Sequence, residues 1–332
     1  MSVTLSVLDL APIAPGQSAR ESFAGSVKLA RAAERHGYKR VWYAEHHNMA
    51  TIASSATSVL IAHIAAHTES IRLGAGGIML PNHAPLTIAE QFGTLETLHP
   101  GRIDLGLGRA PGSDQATMRA LRRDNSSADR FPQDVLELQG FLGDESRIPG
   151  ISAVPGAGTH VPLYILGSSL FGAQLAAHLG LPYAFASHFS PDALQQAATL
   201  YRRDFKPSEQ LSEPYVIAGV NIVAADDPAV ATEDFEALRR IRVRSLISRG
   251  PATPHYSDEE IDAFLTTREG HQLASMMKYT GIGTGDDARR YLENFAEIAQ
   301  ADELMVCHQS VTIEGRLRSL ELTADAMKAA QV

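Results

Sequence analysis

Val41-Trp42-Tyr43-Ala44-Glu45-His46-His47-Asn48 begins as an apolar run and ends in a cluster of titratable side chains. So short a run, ending in polar residues, reads as a buried strand that opens onto a loop. The same grammar repeats on both sides. Upstream, residues 5–10 form another apolar run, followed by a loop at Pro12, Pro15 and Gly16. Ser18 and Glu21 have capping-box spacing for a helix with apolar Phe23, Val27, Ala30 and Ala33, which Gly37 stops. Downstream, a helix over about 54–67 leads to a strand at 71–75, and a helix over about 85–98 leads to a strand at 103–107. Further strands are expected at 163–166, 183–186, 215–224 and 303–306, with helices at 129–142, 170–179, 287–300 and the C-terminus.

Strands alternating with helices imply a parallel sheet with right-handed crossovers. Eight strand candidates in 332 residues fit a closed barrel better than an open doubly wound sheet, although periodicity alone does not separate the two. The expected fold is therefore α/β, a (β/α)8 TIM barrel with loop and helical insertions, in one domain over 1–332. Pro and Gly mark 149–162 as a loop insertion. Residues 249–285 break the rhythm and read either as a lid or as a helical decoration on the rim.

Composition narrows the function. With 44% hydrophobic and 20% charged residues the chain can build a core and is not compositionally disordered. A net charge of −9 argues against a dominant nucleic-acid surface. The lone Cys307 excludes an internal disulfide and a cysteine zinc site, and it fits a cytoplasmic setting. No apolar run is long enough to span a membrane. Asp9 interrupts the first apolar stretch, which has no basic start, so a signal peptide is not expected.

In such a barrel the chemistry lies at the carboxyl ends of the strands. Glu45-His46-His47 sits at one of them. Histidine titrates near neutrality and suits proton transfer, and Glu45 can orient or charge a ring. A structural hydrogen-bonded pair explains the same residues. Gly74-Ala75-Gly76-Gly77 ends the third strand and lets the backbone approach a flat ligand. Gly106-Leu107-Gly108-Arg109 ends the fourth, offering a guanidinium for a phosphate. Gly167-Ser168-Ser169 precedes a helix, whose N-terminal amides suit an anion; either serine can equally be a plain N-cap. Together the three ends favour a phosphate-bearing cofactor.

Competing motifs fail. After Gly74 and Gly76 a dinucleotide fingerprint needs glycine where Met79 stands, and Gly108 is followed by Gly112, one residue late. Gly281-Ile282-Gly283-Thr284-Gly285 precedes a helix but follows no evident strand. His63 and His67 have zinc-like spacing without a third ligand, so no metal is expected. No G-x-S-x-G elbow occurs.

Ala44-Glu45-His46-His47, the run from Leu73 to Pro81, and Leu98-His99-Pro100-Gly101-Arg102 leading into Gly106-Leu107-Gly108-Arg109 resemble the bacterial luciferase-like flavin monooxygenases. So do Leu166-Gly167-Ser168-Ser169 and the stretch from Gly281 to Asp287 followed by Asp302-Glu303-Leu304. The resemblance spans nearly the whole chain in order. It implies a (β/α)8 barrel binding FMN, with reduced FMN and oxygen giving a flavin 4a-hydroperoxide that oxygenates a small organic substrate such as an aldehyde. It implies His46 in proton transfer, with Glu45 and His47 supporting the pocket. Gly76-Gly77 matches the family's cis peptide under the flavin, and Arg109 with Ser168 and Ser169 matches its phosphate site. It further implies a homodimer and a separate NAD(P)H-flavin reductase. Two departures stand out. Gly108 replaces a cysteine of the luciferases and Ser168 an acidic residue, so light emission is not expected. A non-catalytic flavin-binding protein and a deazaflavin-dependent oxidoreductase are the alternatives on the same fold.

Overall fold

The computed structural model describes residues 3–109, 115–247 and 256–330. Among them are nine parallel strands: β1 Thr4–Asp9, β2 Arg40–Tyr43, β3 Arg72–Met79, β4 Ile103–Gly108, β5 Leu163–Gly167, β6 Tyr183–Phe185, β7 Val216–Ala224, β8 Thr280–Gly283 and β9 Glu303–His308. Each of β1 to β7 pairs with the next, β7 pairs with β9, and β9 returns to β1 from Thr4↔Glu303 to Val7↔Val306. Eight strands thus close a TIM barrel, as the alternation predicted.

The ninth strand corrects the sequence reading. Val216 to Ala218 of β7 pair with β6, whereas Asn221 to Ala224 pair with β8. The opposite edge of β7 is occupied by β9 throughout Ile217 to Ile222. β8 therefore continues the wall above the end of the three-residue β6, and it is this strand, Thr280–Gly283, that supplies the first glycines of the Gly281 motif. Helices Leu194–Asp204 and Pro228–Ile247 were not anticipated either. Of the expected excursion, residues 249–255 lie outside the described residues; the rest comprises helices Asp258–Leu265 and Arg268–Ser275 and then β8. No helix among the described residues is long and apolar enough to cross a membrane.

Period-two alternation explains where the core sits. Val7, Val41, Leu73, Leu105, Leu107 and Ile165 point outward into one large core beneath the surrounding helices. Leu8, Trp42, Tyr164, Ile217 and Met305 point inward and fill the middle of the barrel. Below them lies a polar layer from the strand starts. Arg40 donates to Asp104 Oδ2 at 2.7 Å, to the Tyr164 hydroxyl at 2.6 Å and to Glu303 Oε2 at 3.2 Å. Ser6 donates to Glu303 Oε1 at 2.6 Å, and Arg72 Nε to Asp104 Oδ1 at 3.0 Å. Toward the carboxyl ends the inward positions shrink to Ala44, Gly76, Gly108, Ala184 and Gly219. The barrel is plugged at one end and hollow at the other.

Candidate active site

The hollow end is a cavity of about 1150 Å³. Glu45, His46, Gly76, Gly77, Arg109, Ser168 and Ser169 all line it. The structure therefore gathers all seven anticipated residues at one mouth. His47 does not line it. His63 and His67 stand apart on the outer surface, rings 4.5 Å apart, with His67 Nδ1 on the His63 carbonyl at 2.7 Å.

Glu45 is buried and accepts from four groups. The Met79 N–H is 3.0 Å from Oε2, Asn82 Nδ2 is 3.2 Å from Oε1, His47 Nε2 is 2.7 Å from Oε1, and His83 Nε2 reaches both oxygens. Burial pushes the carboxyl up, but the hydrogen bond and charge of His83, then His47 and the Met79 amide, outweigh it and hold Glu45 below its usual range. An ionised carboxylate only accepts, so both imidazoles present Nε2–H to it. His46 differs: its Nδ1 is buried without a partner, its backbone N–H donates to the Ser54 carbonyl at 3.0 Å, and burial lowers its pKa. It is a neutral imidazole at the cavity wall at pH 7.

Behind them, β3 and β4 lose register between Ala75 and Ile78, so Gly76 and Gly77 together oppose Gly106. The Gly76–Gly77 peptide bond is cis, as the resemblance implied. A Cβ on Gly76 would lie 2.9 Å from Trp42 Cβ, and one on Gly77 only 2.7 Å from the Gly106 carbonyl oxygen. Only glycine fits this wall, and it leaves a smooth backbone surface. At the β4 end, the Arg109 guanidinium stacks over Phe171 at 4.2 Å, with Nε on the Ala128 carbonyl at 3.3 Å and Asp129 at 3.8 Å. Phe171 belongs to helix Leu170–Leu179, whose N-cap Ser169 makes no side-chain capping bond. Among the described residues, the Ser169 hydroxyl makes no hydrogen bond, so it and the N-terminal end of that helix can face another partner beside a cation.

Sequence reasoning missed His83, Phe171, His188 and Arg242. His188 follows β6 and lines the cavity; burial first, then Arg242 and His46, lower its pKa to about 3. Its signal was the same as for His46, a polar residue just past a strand. The 249–285 segment, read as either a lid or a rim decoration, contributes Met276 and Met277 to the lining, while helix Pro228–Ile247 contributes Phe235, Leu238, Ile241 and Arg242. The two short helices pack behind that helix, through Val243, Ile261 and Leu265 and the Arg240–Asp262 pair at 2.8 Å.

Residues 3–313 match the family described as luciferase-like monooxygenases. The chain belongs to that family. A luciferase-like monooxygenase of Escherichia coli (strain K12) is 49% identical over 325 residues, covering 98% of this chain and 97% of the relative. An N-acetyl-S-alkylcysteine monooxygenase of Bacillus subtilis (strain 168) is 30% identical over 342 residues, covering 99% of each. Among solved structures, apo-MsnO8 superposes with a TM-score of 0.88 at 34% identity and 98% coverage of both chains. As a luciferase-like monooxygenase the chain is a flavin-dependent enzyme that uses molecular oxygen.

Proposed function

We propose that this cavity binds FMN and that the protein uses reduced FMN and dioxygen to oxygenate a small organic substrate. One observation carries the reading. Arg109, Ser168 and the uncapped start of helix Leu170–Leu179 converge beside a glycine wall. The first three suit a phosphate, which gains from both the guanidinium and the helix N-terminus; the wall suits a flat ring. Bound in its reduced form, FMN would supply the two electrons that activate dioxygen, with one oxygen atom passing to the substrate and the other leaving as water.

The chain's own groups then divide the work. Arg109, Ser168 and Ser169 would hold the phosphate, and Gly76 and Gly77 would offer their backbone to the ring. His46 exchanges a proton at the reacting centre. Glu45 acts through its partners, fixing His47 and residues 79–83. Helix Pro228–Ile247, with the two helices behind it, covers the cavity and excludes water. The setting is a reducing, cytoplasmic one, which the lone cysteine fits, and a separate NAD(P)H-flavin reductase supplies the reduced flavin. A homodimer forms through helix Thr57–Ala65: Ala65 packs within the subunit, whereas Ala56, Val59 and Ala66 face outward.

Flavin titration of Arg109→Ala tests the reading. Losing a charge-assisted contact should weaken FMN by about tenfold to a hundredfold and riboflavin, which has no phosphate, very little; equal weakening removes the phosphate site. Anaerobic loading with reduced FMN followed by oxygen should then give product from at least one member of a panel of neutral and carboxylate-bearing aldehydes and thioethers. The thioethers are included because the Bacillus subtilis relative acts on N-acetyl-S-alkylcysteine. Release of peroxide with every compound would favour a flavin carrier, and preference for a deazaflavin in direct competition would favour hydride transfer.

A further inference from the structure

Helix Pro228–Ile247 carries four arginines in six residues, Arg239, Arg240, Arg242 and Arg244. Arg239 pairs with Glu236, Arg240 with Asp262, and Arg244 with Asp258. Arg242 is different. It shares a stripe with Phe235, Leu238 and Ser245 that faces the cavity, and among the described residues it has neither a hydrogen bond nor an ion pair. Burial lowers its pKa, and the titratable groups it meets are the imidazole of His188 and the buried Cys307 thiol. Neither is an anion at neutral pH: an imidazole is neutral or cationic, and burial holds the thiol's pKa up to about 11.

Among the described residues, the charges around the cavity leave this guanidinium without a counterion. In a chain of net charge −9, the described lining residues include three arginines and a single carboxylate, Glu45. Glu45 is taken up by His47, His83, Met79 and Asn82. Arg316 is matched by Asp9 at 2.8 Å, and Arg109 is the cation at the phosphate end. A half-buried guanidinium with no counterion is costly and calls for an anion from outside. Position says which one. Arg109 and Ser168 follow β4 and β5, whereas Arg242 meets His188 beyond β6 and Cys307 on β9, around the ring from them. Small-molecule sites run to about 300–1,000 Å³, so about 1150 Å³ leaves room for a second molecule beside a flavin.

Resting on the flavin reading for the occupant of the other end, we propose that Arg242 is the substrate-binding residue for a carboxylate, and that the substrate is a small apolar acid rather than a neutral compound. The fork of the guanidinium takes both carboxylate oxygens, while Phe235, Leu238 and Ile241 receive the apolar part.

Calorimetric titration with hexanoate and hexanamide, with and without FMN, tests this without requiring turnover. The acid should bind at least tenfold more tightly than the amide, the lower bound for a charge-assisted contact. Arg242→Gln should reduce that ratio to below about threefold while changing FMN affinity by no more than about threefold. Arg242→Lys, which keeps the charge without the fork, should retain part of the ratio, and it covers the case in which the glutamine variant does not fold. Equal binding of acid and amide to the wild type, no hexanoate binding at millimolar concentration, or an unchanged ratio in Arg242→Gln overturns the proposal. So does a parallel loss of FMN and hexanoate in a folded variant. Failure of the flavin reading looks different: Arg109→Ala then weakens FMN and riboflavin alike, and the hexanoate ratio persists.

Discussion

His83 Nε2 lies 3.0 and 2.9 Å from the two carboxylate oxygens of Glu45, joining the end of β2 to the loop that follows β3. With Met79 and Asn82 on the same carboxylate, this contact holds both walls of the cavity in register. Removing the charge leaves several donors partly unsatisfied. Glu45→Gln should therefore cost about 2–4 kcal/mol at pH 7. Because the folded pKa of Glu45 is depressed, its contribution is fully present above the unfolded value of about 4.3 and disappears as pH falls through the folded value. Urea melts of both proteins across pH should show the stability gap closing below that point. A gap that does not change with pH would rule out the carboxylate as its source.

His46 gives the second expectation. Burial lowers its pKa, so the imidazole is neutral at pH 7 and gains a proton only below its ordinary value of about 6.5. Turnover by the wild type should be flat above neutrality and fall on the acid side. His46→Ala should cost about 10²–10⁴ in rate, lose the acid limb and keep FMN affinity. His188 is not the source of that limb, because its pKa of about 3 keeps it neutral across the same range. An acid limb that survives in His46→Ala would assign the proton elsewhere.

The barrel was legible because strands buried on both faces are rich in Val, Ile and Leu and are separated by capped helices. The strand-end clusters were legible for a related reason: a polar residue directly after an apolar run has few structural uses. What escaped notice had no such contrast. Thr280-Gly281-Ile282-Gly283 is short and half glycine, and it becomes a strand only because β6 stops early and leaves the upper edge of β7 unpaired. Arg40, Asp104 and Glu303 look like surface charges at strand starts, yet they face one another across the barrel. Arg242 sits in a basic run, Arg239-Arg240-Ile241-Arg242-Val243-Arg244, that reads as a solvated helix face. Only its neighbours' ion pairs distinguish it.

Two glycines of the site should respond differently to the same added methyl. At Gly77 the new Cβ would meet the Gly106 carbonyl oxygen at 2.7 Å, backbone that cannot yield without shifting β4. At Gly108 it would meet Met79 Cε at 2.6 Å, the far end of a flexible side chain. Gly77→Ala should thus destabilise by about 1–3 kcal/mol and weaken FMN, and Gly108→Ala should stay within about 1 kcal/mol. Thermal melts of the two variants side by side decide it. Equal losses would mean that the wall at Gly77 is softer than its contacts imply.

The last expectation separates stability from chemistry. Arg40 is buried at the plugged end and answers both Asp104 and Glu303, with Trp42 and Tyr164 lying between this layer and the cavity. Arg40→Met would remove the guanidinium that the two buried carboxylates share, leaving Asp104 to Arg72 and Glu303 to Lys39, a loss of about 3–5 kcal/mol. FMN affinity, measured at a temperature where the variant remains folded, should be unchanged, because residues at the amino ends of barrel strands carry stability rather than catalysis. A variant that kept its melting temperature but lost flavin would reverse those roles and place the polar layer within the functional site.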